Sequence, residues 1–309
     1  MIQKQARDYC QTISTALRIL PLLYIFSMKI LSIIIDMLVL VGTLAIAQPT
    51  QRVLYKQLDT TALYLDIYYP ANYDTVQSYP AIVFFFGGGW KVGDVTQFEP
   101  HAAYLSDRGM VCILADYRTA SRHQTSPFES LKDAKSAMRF VRKHAKEYHL
   151  DTAKIAAAGG SAGGHLASAT AFIEGYNETS DDLSVRCKPN ALVLFNPVID
   201  NGPGGYGYER IGDAYKEFSP LHNITAGAPP TLFLLGTEDD LIPVETARYY
   251  QKVMDRVGSR CDLALFEGEK HGFFNYRNLV NYQKTVFVMD TFLVSLDYLR
   301  GTPTVEVNR

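Results

Sequence analysis

A serine between glycines lies at residues 159–164, which read Gly-Gly-Ser-Ala-Gly-Gly. The apolar run 153–158 precedes this segment, and the helix-favouring stretch 165–173 follows it. A Gly-x-Ser-x-Gly pattern between a strand and a helix is typical of a sharp turn that exposes one serine hydroxyl. Such a turn needs small neighbours, because the serine backbone is strained and crowded. The pattern predicts Ser161 as a nucleophile, although a tightly packed turn without chemistry would look the same.

A nucleophilic serine needs a base, and the base needs a carboxylate that orients it. Both residue types follow downstream, each after a short apolar run. Residues 236–243 read Gly-Thr-Glu-Asp-Asp-Leu-Ile-Pro, and residues 269–274 read Glu-Lys-His-Gly-Phe-Phe. The chain order Ser161, Asp239, His271 is one of the known orders of a hydrolytic Ser-His-Asp triad.

A triglycine segment supplies a fourth element. Gly87, Gly88 and Gly89 directly follow the apolar run 81–86 and precede Trp90. A flexible loop of this kind can turn backbone N–H groups toward the carbonyl oxygen of a bound ester. Four such elements in sequence order, each at the end of a predicted strand, favour acyl transfer.

The elements that must position these residues alternate along the chain. Residues 52–58 and 62–69 predict a hairpin, and short apolar runs then predict buried strands. Helical patterns lie between those runs, at residues 127–148, 243–257 and 281–299. The alternation predicts a mostly parallel sheet with helices on both faces, and ligands of such sheets bind at the carboxyl ends of the strands. These runs are 81–86, 111–115, 154–158, 191–195, 231–235 and 262–266.

Residues 197–230 break this rhythm with a long segment rich in glycine, proline and tyrosine. A loop of this length in a compact domain is usually functional. We interpret it as an insertion over the active-site face, with a short helix near residues 214–218. No linker divides the remainder, so residues 48–309 are expected to form a single domain.

These motifs resemble those of the α/β-hydrolase superfamily, specifically its carboxylesterase and acetyl-xylan/feruloyl-esterase-like branch. The resemblance covers about residues 54–299 and implies an eight-stranded, mostly parallel sheet with helices on both faces. The similar segments are Phe86-Gly-Gly-Gly-Trp90, Asp116-Tyr117-Arg118, Gly159-Gly-Ser-Ala-Gly-Gly-His165, Gly236-Thr-Glu-Asp239 and His271-Gly-Phe-Phe274.

The resemblance also implies the roles of the site residues. Ser161 would be the nucleophile, His271 the general base and acid, and Asp239 the carboxylate that orients the histidine. Asp239 is favoured because it lies three residues after Gly236; the flanking acids Glu238 and Asp240 are the alternatives.

The oxyanion hole implied by the resemblance consists of the backbone N–H groups of Ala162, Gly88 and Gly89. Relatives usually carry a histidine before the three glycines, whereas this chain has Phe86. That histidine is understood to brace the loop, so activity is expected without it, and the geometry of the loop is the open point.

Several aromatic residues have two interpretations. Trp90 either forms a wall of the substrate pocket or fills the space beneath the triglycine loop. Tyr206 and Tyr208 could stack on a sugar ring. His165, four residues after Ser161, is expected to be a buried, hydrogen-bonded histidine beneath the turn. The histidines expected to be solvated are His101, His123, His144 and His149.

The expected reaction is hydrolysis of an ester through an acyl-enzyme, without a metal or an organic cofactor. The family resemblance favours short-acyl esters of carbohydrates, acetyl or feruloyl, as small molecules or on polysaccharide. One alternative is a serine peptidase of the prolyl-oligopeptidase type, which shares the triad order. Another is a non-catalytic, hydrolase-like binding protein.

The N-terminal region differs in composition from the rest. Residues 30–47 are almost wholly apolar and end in Ala-Ile-Ala, which Gln48 follows, while Met28-Lys29 stands just before them. This pattern predicts a signal peptide over residues 28–47 and hence an exported protein without stable membrane insertion after cleavage. A membrane anchor is the alternative.

The overall composition excludes some classes of function. The chain has 309 residues and a net charge of −2, without a run of Lys or Arg, so nucleic-acid binding is not expected. No Cys/His spacing indicates a metal site. Cys187 and Cys261 could pair, but their spacing leaves this open.

Overall fold

A computed structural model of the protein describes residues 50–307. Within this range eight strands form one sheet, in the order β1-β2-β4-β3-β5-β6-β7-β8. The strands are β1 Gln51–Leu58, β2 Thr61–Tyr68, β3 Tyr79–Phe85, β4 Val111–Ala115, β5 Leu150–Gly160, β6 Ala191–Phe195, β7 Thr231–Gly236 and β8 Cys261–Phe266.

The sheet is mostly parallel, as predicted. Strand β2 runs antiparallel to both β1 and β4, and the strands from β4 to β8 pair in parallel. The carboxyl ends of β5, β7 and β8 therefore meet at one edge, the edge where ligands of such sheets bind. The eight-stranded α/β prediction is confirmed.

Helices cover both faces. They are α1 Glu99–Asp107, α2 Ala120–His123, α3 Pro127–Lys143, α4 Ala162–Phe172, α5 Tyr208–Ile211, α6 Tyr215–Phe218, α7 Val244–Arg256 and α8 Leu279–Ser295. Side chains of β3 alternate between two cores, because successive residues of a strand point to opposite faces. Val83 and Phe85 pack in the core that includes α3, α4 and α7, whereas Ile82 and Phe84 pack in the core that includes α1 and α8.

Helix α3 shows how local sequence sets an element's start. Ser126 and Glu129 form a capping box, and Pro127 occupies the first turn, where its missing N–H costs nothing. The helix ends at Lys143, whereas the sequence pattern predicted an end at residue 148. Helix α1, which has a weak apolar periodicity, was not predicted.

The insertion joins β6 to β7. Helix α6 lies where a short helix was expected, while α5 and the 3₁₀ turns Gly212–Ala214 and Pro220–Asn223 were not foreseen. The predicted signal peptide at residues 28–47 lies outside the described residues. In the part of the chain that the structure covers, no helix combines the length and apolar character needed to cross a bilayer.

His101 was expected to be solvated, and this was wrong: its side chain is fully buried on α1, with the rings of Phe98, Phe195 and Tyr282 around it. Burial lowers its pKa to about 3.

Cys187 and Cys261, whose pairing the sequence left open, are both free thiols in this structure.

Candidate active site

Ser161 forms the sharp turn between β5 and α4. Its backbone angles are φ 52° and ψ −118°, which an L-residue adopts only under strain. The neighbouring glycines leave no room for a side chain, because a Cβ on Gly163 would lie 2.0 Å from the carbonyl oxygen of Phe85. The Ser161 amide donates a hydrogen bond to the Phe195 carbonyl at 2.9 Å, which ties the turn to β6.

The structure brings the three predicted triad residues into one hydrogen-bonded line. His271 Nε2 lies 2.9 Å from Ser161 Oγ, and His271 Nδ1 lies 2.8 Å from Asp239 Oδ2. A carboxylate on Nδ1 favours the tautomer that carries its proton there, so Nε2 presents a lone pair to the hydroxyl. This geometry suits proton removal from the serine.

Asp239 is fixed more firmly than its two acidic neighbours. Its side chain is fully buried, and its Oδ1 accepts hydrogen bonds from the amides of Leu241 and Ile242, both at 2.9 Å. Glu238 and Asp240 are exposed, and the carboxylate that is hydrogen-bonded to the His271 ring is that of Asp239. Of the three acids considered, only Asp239 has the orienting position.

Asn196 is a site residue that the sequence analysis missed. It follows β6 with φ 35°, accepts the amide proton of Gly272 at 3.1 Å, and places its Nδ2 at 3.3 Å from His271 Nε2. It therefore holds the loop on which the histidine lies. The available signal in the sequence was a polar residue directly after β6, the strand that pairs with β5 and so lies beside Ser161.

Two residues of the triglycine loop adopt left-handed backbone angles, which favour glycine. Gly88 and Gly89 have φ 118° and 65°. The Gly88 carbonyl accepts from the amides of Lys91 and Val92, both at 3.1 Å. Because the peptide unit is planar and trans, the Gly89 N–H points away from those bonds.

The three amides predicted for the oxyanion hole have no hydrogen-bond acceptor in the described part of the chain. Those of Gly88 and Gly89 donate to no acceptor within residues 50–307, and the amide of Ala162 is in the first turn of α4, where no intrahelical partner exists. The loop also lies against the nucleophile turn, since a Cβ on Gly87 would be 3.5 Å from that of Ser161.

A phenylalanine–tyrosine pair braces the start of this loop, where the family resemblance implied a histidine. The rings of Phe86 and Tyr117 stack with centroids 4.0 Å apart, and the Tyr117 hydroxyl donates to the Phe86 carbonyl at 2.7 Å. Burial raises the pKa of Tyr117, which keeps this donor protonated. The Arg122 guanidinium covers Phe86 and pairs with Asp116 at 2.6 Å.

Trp90 lies behind the loop. Its side chain is 1% exposed and contacts His165 edge-to-face, with ring centroids 5.1 Å apart. The structure therefore favours the second interpretation of Trp90: the indole fills the space beneath the loop, and almost none of its surface is exposed to a substrate. Its φ of 58° is unusual for a bulky residue, and the packed indole stabilises that conformation.

The two tyrosines of the insertion have different positions. The Tyr206 hydroxyl lies beside Gly89, where an added Cβ would be 2.5 Å from it. Tyr208 instead contacts Tyr215 within the insertion, with centroids 6.0 Å apart. Arg210, which was not predicted, donates to the Gly89 carbonyl and lies over the Tyr206 ring at 5.3 Å. Tyr206 is therefore at the site, and Tyr208 is further along the insertion.

His165 is buried and hydrogen-bonded, as expected. Its Nε2 lies 2.9 Å from the Phe218 carbonyl, and its ring stacks on Phe218 at 4.4 Å. Burial lowers its pKa to about 3, so the ring is neutral at physiological pH. It fastens the nucleophile helix to the insertion.

A cavity of about 240 Å³ lies between the insertion and the loop that follows β7. Asp200 and Tyr206 line one side, and Leu241 and Ile242 line the other. Because Tyr206 also touches Gly89, one side chain borders both the cavity and the oxyanion loop. Among residues 50–307, no group of three or more His, Cys, Asp or Glu side chains is placed to hold a metal ion.

Two family models match successive parts of the chain. The BD-FAE model matches residues 65–203, which include Ser161, and the prolyl oligopeptidase family model matches residues 203–291, which include Asp239 and His271.

Esterases are among the similar proteins of known structure or curated name. Thermogutta terrifontis esterase 2 phosphorylated by paraoxon is 43% identical, with a TM-score of 0.77 over 82% of this chain and 96% of that chain. Esterase LipC of Mycobacterium tuberculosis is 30% identical over 72% of this chain and 59% of its own length. An acetylxylan esterase of Xylanibacter ruminicola is 28% identical over 62% and 41%, respectively.

The chain spans about half the length of several curated relatives that it matches. The match to the Thermogutta esterase, by contrast, covers almost all of that protein at high identity. This likeness, together with the eight-stranded sheet that carries Ser161, Asp239 and His271 at one edge, identifies the chain as a member of the α/β-hydrolase superfamily, within its carboxylesterases.

Proposed function

We propose that this protein is a serine ester hydrolase that acts through an acyl-enzyme formed on Ser161. The observation that carries the proposal is the continuous line from Asp239 through His271 to Ser161, with contacts of 2.8 and 2.9 Å. A base that is hydrogen-bonded to the nucleophile and oriented by a third group is the arrangement that activates a hydroxyl.

In the first half of the reaction, Ser161 Oγ attacks the ester carbonyl while His271 Nε2 takes the hydroxyl proton. The carbonyl oxygen becomes an oxyanion, which the amides of Ala162, Gly88 and Gly89 stabilise. Each such donor contributes about 3 kcal/mol to the transition state. The C–O bond to the alcohol then breaks, and His271 gives its proton to the leaving oxygen.

In the second half, water replaces the alcohol. His271 removes a proton from the water as its oxygen attacks the acyl carbon, and the same amides hold the second oxyanion. The bond to Ser161 Oγ then breaks, and His271 returns the proton to the serine. The net reaction is ester plus water giving acid plus alcohol, with the enzyme unchanged.

The substrate class that we propose is a short-acyl ester of a carbohydrate, acetyl or feruloyl. Its support is the cavity beside the site, where the carboxylate of Asp200 offers a sugar a hydrogen-bond acceptor and Tyr206 offers an aromatic contact. A relative named acetylxylan esterase adds to this support.

The second candidate function is a serine peptidase of the prolyl-oligopeptidase type, because that family's model matches residues 203–291. The two functions differ in the leaving group, an alcohol in one case and an amine in the other. A panel of p-nitrophenyl esters of increasing chain length, acetylated xylan, methyl ferulate and aminoacyl amides separates them. We expect hydrolysis of the short esters and the acetylated xylan, and hydrolysis of the amides alone would favour the peptidase.

A fluorophosphonate probe tests the nucleophile directly, and it also addresses the non-catalytic alternative. We expect covalent labelling of the wild-type protein and none of Ser161→Ala, because the probe reacts with an activated serine. Ser121→Ala is the matched control, since Ser121 is exposed and its amide bonds to the Lys91 carbonyl near the oxyanion loop. Labelling that persists in Ser161→Ala, or is absent from wild type, would contradict the proposal.

A further inference from the structure

A chain of side-chain amides joins the two loops that flank Ser161. Gln97 lies in the 3₁₀ turn Val95–Phe98, and its Oε1 accepts the amide proton of Gly87 at 2.6 Å. Its Nε2 donates to Asn275 Oδ1 at 2.8 Å, and Asn275 Nδ2 donates to the Gly272 carbonyl at 2.7 Å. The bridge spans 178 residues of sequence.

The two ends of this bridge lie next to the groups that react. Gly87 begins the oxyanion loop and packs on the nucleophile turn, since a Cβ there would be 3.0 Å from the Gly160 carbonyl oxygen. Gly272 directly follows His271 and has φ 81°. The bridge therefore joins the loop that supplies the oxyanion donors to the loop that carries the base.

The direction of the hydrogen bonds fixes both amides in one orientation. A backbone N–H at Gly87 can only face an oxygen, so the Gln97 amide must turn its nitrogen toward Asn275. The Asn275 amide must then turn its own nitrogen toward the Gly272 carbonyl. A carboxylate at position 97 could accept from Gly87 but could not donate to Asn275, and an apolar side chain could do neither.

We propose that Gln97 is a positioning residue that sets the placement of the oxyanion donors relative to His271, with Asn275 as its partner. This inference rests on the proposed esterase function. Both loops contribute most when charge has moved onto the carbonyl oxygen and the imidazole, so their misplacement weakens transition-state binding more than substrate binding. Loss of the bridge should therefore lower kcat and leave KM nearly unchanged.

The experiment compares Gln97→Met with Gln251→Met in hydrolysis of a short p-nitrophenyl ester. Gln251 is the matched control, because its Nε2 makes one part-buried hydrogen bond, to the Cys261 carbonyl at 2.9 Å, on a helix away from the triad. For Gln97→Met we expect kcat to fall about 10- to 100-fold per titrated active site, the range that small misplacements cost. Gln251→Met should keep the wild-type kcat.

A double-mutant cycle with Asn275→Leu tests whether the two amides act as one bridge. We expect Asn275→Leu alone to lower kcat. The kcat of the double variant should be no more than about twofold below that of the less active single variant, because either substitution already breaks the bridge. Asn275→Leu also interrupts the bridge from its other end if Gln97→Met does not fold. Losses that multiply in the double variant, or a Gln97→Met enzyme with near-wild-type kcat, would overturn the inference.

These outcomes are separable from those for the proposed function. A wild-type protein that hydrolyses no ester and takes up no fluorophosphonate contradicts the esterase itself. An active, labelled wild-type protein together with a fully active Gln97→Met contradicts only the bridge.

Discussion

Two histidines lie close to Ser161, and they differ in almost every physical respect. His271 is partly exposed, at 19% of its side chain, with a buried carboxylate on one nitrogen and the serine hydroxyl on the other. His165 is fully buried one turn into α4, with a backbone carbonyl on Nε2 and no partner for Nδ1 among the described residues.

The comparison shows that the surroundings of an imidazole decide what it can do. A base must gain a proton during the reaction, and the carboxylate of Asp239 is placed to stabilise a protonated His271 ring. Within residues 50–307 no carboxylate is hydrogen-bonded to His165, and burial lowers its pKa to about 3, so protonation there is strongly opposed. One ring is therefore suited to chemistry and the other to joining two parts of the fold.

The largest expected effect comes from removing the feature that distinguishes His271. In Asp239→Asn, an amide nitrogen that faces Nδ1 would favour the wrong tautomer and place the ring proton on Nε2. We expect kcat for ester hydrolysis to fall about 10⁴-fold. Asp240→Asn is the matched control, and an equal loss there would contradict the assignment of Asp239.

Acid should destabilise the protein through its buried neutral rings. His101 and His165 have pKa values of about 3 when folded and an ordinary value of 6.5, so the unfolded chain binds more protons between these limits. The free energy of unfolding therefore falls as the pH drops through that window, by about 2 kcal/mol for each histidine at pH 5 relative to pH 8. Urea unfolding of wild type and His101→Leu at both pH values measures the effect. An identical pH dependence in the two proteins would contradict it.

The smallest effect is expected from replacing the second histidine of the comparison. His165→Leu leaves the Phe218 carbonyl without its donor but also removes the unpartnered Nδ1, so we expect a loss of about 1 to 2 kcal/mol in unfolding free energy. The kcat per titrated active site should stay within about threefold of wild type, since no reacting group changes. A loss of kcat comparable to that of Asp239→Asn would show that His165 takes part in catalysis.

Sequence reasoning located the strands and the residues at their carboxyl ends, because these signals are local. The apolar runs, the small residues around Ser161 and the Gly-rich segment after β3 each lie within a few positions of one another. Parallel order then places the ends of β5, β7 and β8 at one edge, and this made the acidic loop after β7 and the histidine after β8 recognisable. The choice of Asp239 among three consecutive acids came from the family resemblance.

The residues that sequence reasoning missed depend on contacts between distant segments. Gln97 meets Asn275 across 178 positions, and Arg210 meets Gly89 across 121. Nothing local distinguishes such polar residues from solvated ones. His101 was misjudged for the same reason, since its burial depends on rings from β6 and α8 that fold over α1.

The crowding around Ser161 has a consequence for how this protein could acquire new preferences. A methyl group on Gly163 would need the Phe85 carbonyl to move, because only 2.0 Å separates them, and a methyl on Gly159 would meet the Gly163 backbone at 2.3 Å. By contrast, Leu241 and Tyr206 border the cavity with side chains, and no backbone clash of this kind constrains them in the way that it constrains the two glycines. Selection for other esters should therefore accumulate changes around the cavity and leave the glycines near the serine untouched.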